Sequence, residues 1–173
     1  MSSHSSALQL ANMLENVLAW LDKAEAHAKE KKFDFDAFVL HTRLAPDQFP
    51  LMKQLQAAAD GAKFCAARLA GKDPPKHADT ETKVDEIRQR LRSVIEYVRG
   101  FAEADFAGSD TRMIPLGFAP GKGLIGADYR DRFVVPNFYF HVTTAYAILR
   151  HNGVTLGKTD FLGNAPLRDL PPA

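Results

Sequence analysis

The chemistry on offer in this chain is concentrated in PNFYFHVTTAY, residues 136–146. Phe138, His141, Ala145 and Ile148 recur at three- and four-residue steps, which places them on one helical face and turns His141 toward the core. Asn137 stands four residues before His141, one turn back. Desolvation holds an imidazole neutral, the form that ligates a metal or removes a proton, and an amide beside it can orient a ligand. The pair can equally satisfy each other and a neighbouring carbonyl, the commoner fate of a lone inward histidine.

A second polar group, His41, Arg43 and Asp47, lies in the connector FVLHTRLAPD. It either lines the mouth of a helical assembly or pairs locally, Arg43 with Asp47, while His41 caps a turn. Gln56 and Asp60 border an apolar stripe, where a carboxylate facing a core needs a partner; surface placement is the simpler expectation. Cys65 falls on that apolar stripe, so its thiol is expected to be inert. GFAPGKG, 117–123, is one residue short of a phosphate loop, and no Ser or Thr follows Lys122, so it reads as a turn. Arg88, Arg90, Arg92 and Arg99 alternate with acids and read as a solvated face. His4, His27, His77 and His151 are expected at termini or exposed turns. The sequence holds no zinc-helix histidine pair, paired-cysteine motif or nucleophile elbow.

These residues are positioned by helices. Leu10, Leu14, Val17, Leu21, Ala24 and Ala28 predict a first helix over 6–29. An apolar connector, 31–46, has enough Phe, Val and Leu to pack a short helical turn. A second helix is expected from Pro46 to Gly71 with Leu51, Leu55, Ala58, Ala62, Cys65 and Leu69 inward. Val84, Ile87, Leu91, Val94, Ile95 and Val98 predict a third over 80–99, stopped by Gly100. Gly- and Pro-rich 110–126 reads as a hairpin insert. A fourth helix over 127–151 is expected to kink at Pro136 and stop at Asn152-Gly153. The tail, 153–173, offers Phe161 and Leu162 as anchors.

The resulting expectation is an all-α four-helix bundle, one domain over 1–173. The 173 residues carry 22 basic and 21 acidic side chains. That near-neutral balance disfavours nucleic acid and anionic membranes as partners. One cysteine allows no internal disulfide, and the opening MSSHSSALQLANMLENV lacks a signal-peptide pattern, so a cytoplasmic location is expected.

RLAPDQFPLMKQLQAAADGAKFCAARLAG (43–71) and PNFYFHVTTAYAILRHNGVTLGKTDFLG (136–163) resemble a bacterial family of unknown function within the DinB-like, YfiT-like metalloenzyme superfamily. The resemblance implies an up-down-down-up four-helix bundle, a homodimer, and a pocket at one end of the helices. In metal-binding members, one histidine from the second helix and two spaced four apart on the last helix hold a divalent ion, shortly before an LR..G ending. Here AILRHNG supplies the ending. Counting back puts His141 at the second position of the pair and Asn137 at the first, with the remaining ligand near Ala57, where alanines and Gln56 stand. One of three ligands is kept, so a divalent metal is disfavoured.

The first expectation is therefore a metal-free bundle that binds a small molecule through an interhelical pocket formed by Asn137, His141, His41, Arg43, Asp47, Gln56 and Asp60. An alternative is a metal- or thiol-cofactor-dependent transferase using His141 as ligand or base. A third is a structural homodimer, assembled through exposed apolar residues such as Trp20 or the hairpin.

Overall fold

A computed structural model describes residues 1–170. Its long helices are α1 (Ser3–Lys31), α3 (Leu51–Leu69), α4 (Val84–Arg99) and α6 (Val135–His151), with α2 (Phe35–His41) inside the connector, as its apolar content suggested. Strands β1 (Met113–Pro115) and β2 (Gly123–Ile125) pair antiparallel in the expected hairpin. The fold is mostly helical, and among the described residues no helix is long and apolar enough to cross a membrane.

The periodic stripes fill one core, with Leu14, Leu21, Leu55, Ala62, Ile87, Leu91, Phe138 and Ile148 all buried. Side-chain contacts fix the relative directions of the helices. Phe138 meets Gly61 and His141 meets Gln54, so α3 and α6 run antiparallel. Glu15 reaches Arg99 while Glu25 reaches Arg88, so α1 and α4 are antiparallel. A Cβ on Gly61 would lie 3.4 Å from the Phe138 side chain. Together with the alanines around it, that glycine is what lets α6 approach α3 closely.

Several boundaries differ from the sequence expectation, each for a local reason. The second long helix begins at Leu51 rather than Pro46, because Pro50 drives Phe49 out of helical backbone and then serves as the N-cap. The third begins at Val84 rather than residue 80. There Glu86 accepts from the Thr82 and Lys83 N–H groups at 2.6 and 3.1 Å, and Asp36 caps the Val84 N–H at 2.7 Å. The fourth opens with α5 (Gly126–Asp128) and a π turn, Tyr129–Val134, before α6. The Val135 N–H reaches back to Arg130, and Pro136 then falls in the first turn of α6, directly after the π turn. The expected interior break is thus moved upstream into a π turn.

Trp20 is 1% exposed, which removes it as an assembly surface. It packs with Tyr146 and Phe161 at ring separations of 5.4 and 5.5 Å, and its indole N–H donates to the Asp160 carbonyl at 2.9 Å. Phe161 on α7 (Lys158–Leu162) is thus the tail's anchor, whereas Leu162 is exposed. The proline-rich end, 171–173, lies outside the described residues.

Candidate functional site

α6 turns Phe138, Val142 and Ala145 into the core and leaves His141 half-buried at its seam with α3. His141 Nδ1 lies 2.7 Å from Gln54 Oε1. The Gln54 amide N–H in turn donates to the Phe49 carbonyl at 3.1 Å, which orients the amide with its oxygen toward the imidazole. The ring proton is therefore on Nδ1. Nε2 has no hydrogen-bond partner among the described residues and is not sealed from solvent. Burial pushes the His141 pKa below its ordinary 6.5, so the ring is neutral at pH 7 with a lone pair at Nε2. The Phe140 ring stands edge-on 5.3 Å away and is 56% exposed, as is Phe49, whose carbonyl holds Gln54. An imidazole held this way can accept a hydrogen bond, ligate a metal, or take a proton.

The other residues singled out from the sequence do not gather around it. Asn137 is exposed, not paired inward with His141, because Phe138 fills the approach to Gly61 one turn away. His41, Arg43 and Asp47 are exposed. Arg43 folds back onto the Pro46 and Gln48 carbonyls, both at 3.3 Å, and does not pair with Asp47. The residue of α3 that meets His141 is Gln54, not one near Ala57. Its position was readable: Gln54 lies three residues after Leu51 and four before Ala58, on the inward stripe.

Gln56 and Asp60 belong to a different polar cluster, in which Gln56 is buried, contrary to the surface placement expected for it, and Asp60 is half-buried. Gln56 donates to Glu81 at 2.8 Å. Asp60 bridges Lys63 at 2.7 Å and Arg90 at 2.8 Å. Arg90 also holds Asp79 and Glu81 at 2.9 and 3.0 Å, and its side chain is only 3% exposed. Lys63, equally enclosed, donates to His77 Nδ1 at 3.1 Å. Burial, then the charges of Lys63 and Arg90, lower the His77 pKa and keep that ring neutral as an acceptor. This cluster ties the extended segment 72–83 across α3 and α4 and encloses Arg90, while Arg88 is held separately by Asp22 and Glu25 of α1, so neither arginine lies on a solvated face, and His77 is not free in water. Cys65 is buried, with its thiol pushed up to about 12 by desolvation, as its stripe position suggested.

Residues 4–162 match the family described as Domain of unknown function (DUF1993). The chain belongs to the DUF1993 family. A solved structure of a DinB family member protein from Shewanella denitrificans is 48% identical, covering 95% of this chain and 93% of its own, with a TM-score of 0.90. DUF1993 is thus a DinB-like family of unknown function. No curated protein matches the chain.

The donor set of this DUF1993 chain does not fit a three-histidine ion. His141 is the lone imidazole at the site, the Gln54 oxygen is engaged by its Nδ1–H, and Asn137 points away. Among the described residues no three His, Cys, Asp or Glu side chains converge as a cage. One imidazole and neutral amides make a weak site for a borderline divalent metal.

Proposed function

We propose that this chain is an up-down-down-up four-helix bundle that binds a small molecule on the α3–α6 surface around His141, without a resident three-histidine metal. The observation that carries the reading is the His141–Gln54 hydrogen bond, which presents a neutral Nε2 acceptor beside the exposed Phe140 ring. Such a site suits a ligand with an apolar ring and one hydrogen-bond donor. The antiparallel α1–α4 and α3–α6 pairs support the topology.

The test is a fragment screen by NMR on tag-free protein with labelled histidine. Fragments should shift the His141 ring resonances and lose binding in His141→Ala, whose melting temperature stays close to that of the parent. A screen in which no fragment moves the His141 ring refutes the reading. Stoichiometric divalent metal that raises the melting temperature refutes it in favour of the transferase alternative.

A homodimer is a second reading, supported by the exposed Met113, Phe118 and Ile125 of the hairpin. Solution mass that rises with concentration is the expected result, and a monomer throughout removes it.

A further inference from the structure

At the far end of α3 from Gln54, about 21 Å along the helix axis, a cleft of about 960 Å³ opens between the helix C-terminus and the β1–β2 hairpin. Four cations line it, Arg68, Lys72, Arg112 and Lys122, against one carboxylate, Asp73. Lys72 is held by Asp105 at 2.8 Å. Among the described residues Arg68, Arg112 and Lys122 form no ion pair.

The two guanidinium groups are held by the fold without being neutralised. Arg68 lies over the faces of Phe64 and Tyr129, 4.5 and 5.9 Å from the ring centres, with a long 3.5 Å contact to the Tyr129 hydroxyl. Stacking fixes a guanidinium plane while leaving its N–H groups free for an anion. Arg112 donates to the carbonyls of Leu69 and Ala107, the first at the end of α3. It offsets the negative end of that helix dipole and keeps its formal charge. Gly71, at φ +70°, makes this possible, since a Cβ there would sit 3.0 Å from the Arg112 guanidinium carbon. The backbone N–H groups of Gly117 and Gly121, on the same wall, make no hydrogen bond among the described residues. GFAPGKG is therefore not a phosphate loop opening a helix. It is a hairpin turn that brings Lys122 to two preplaced arginines.

We propose that this cleft binds a small organic anion carrying a phosphate group, of about nucleotide size. Uncompensated cations favour a doubly charged oxyanion over a monocarboxylate. The cleft falls in the size range of ligand sites of ~300–1,000 Å³, far more than inorganic phosphate fills. Met113, Ile114, Pro115, Leu116 and Pro74 supply an apolar wall for the organic part. The near-zero net charge of the whole chain argues against a long polyanion as the occupant.

The test is calorimetric titration of the full chain at low ionic strength with adenosine monophosphate, ribose 5-phosphate, pyrophosphate and uncharged adenosine. The phosphate probes should saturate, and adenosine should bind at least about tenfold more weakly. Lys122→Ala, at an exposed position, and Arg68→Met should each weaken adenosine monophosphate by about tenfold, the scale of one charge-assisted hydrogen bond. The remote, exposed Lys158→Ala should leave it unchanged. The proposal is overturned if no phosphate probe saturates, if adenosine binds as tightly as its monophosphate, or if Lys158→Ala weakens binding as much as Lys122→Ala.

Discussion

Replacing Arg90 with Met tests the buried polar cluster directly. Met keeps helix propensity and most of the side-chain volume, so α4 itself is spared. Three carboxylates lose a partner, but unequally. Asp79 is 43% exposed and keeps Lys53 at 2.8 Å, and Asp60 keeps Lys63 at 2.7 Å. Glu81 is 10% exposed and keeps only a neutral donor, Gln56, at 2.8 Å. Breaking a buried pair from one side costs about 3–5 kcal/mol, and the surviving partners place this case at the low end, about 3 kcal/mol. For a chain of this size that lowers the melting temperature by about 6–12 °C. Urea unfolding gives the free energy and calorimetry the temperature. The double variant Glu81→Gln with Arg90→Met should recover part of the loss, because no buried carboxylate is then left without a cation. A loss below about 1 kcal/mol, the range of exposed pairs, would refute the reasoning and return Arg90 to a solvated face.

Two further outcomes follow from the same structure. His77 and His141 both have pKa values depressed below 6.5, principally by burial, so the unfolded chain takes up protons first. Stability should fall as pH drops below that value, with a smaller slope in His77→Gln; denaturant midpoints at about pH 7.5 and about pH 5.5 measure it, and a midpoint that holds or rises on acidification contradicts the assignment. Trp20→Ala removes the ring on which Phe161 rests and should cost about 3–5 kcal/mol while exposing α7 to limited proteolysis; an unchanged cleavage pattern in the tail would show that the aromatic trio does not anchor it.

Periodicity carried the helices into view because an amphipathic stripe is a local property. Leu14, Leu21, Ile87 and Leu91 are core residues in the sequence pattern and in the fold. Gly71 and Gly153 end helices in left-handed backbone, as their chemistry allows, and Gly100 follows α4 in ordinary helical backbone. Proline effects were legible in kind but not in place: Pro50 rather than Pro46 opens α3, and a π turn upstream of Pro136 takes up the lost hydrogen bond. At the site, His141 was expected to turn into the core beside Asn137, whereas it is half-buried at the α3–α6 seam and meets Gln54.

What the sequence by itself determined is the helical class, the core stripes, the hairpin and the inert Cys65, all set by spacing within one segment. What only the tertiary structure decided is who covers each stripe's edge. Arg90 lies three residues after Ile87 and four before Val94, so its pattern alone allows either water or a lid. The crossing of 72–83 over α3 and α4 supplies Asp79 and Glu81 and makes it buried. His141 likewise meets Gln54 rather than Asn137, because Gly61 lets Phe138 sink against α3 and sets the register of the two helices. A helical repeat fixes which face a side chain occupies; the packing of distant segments fixes what that face meets.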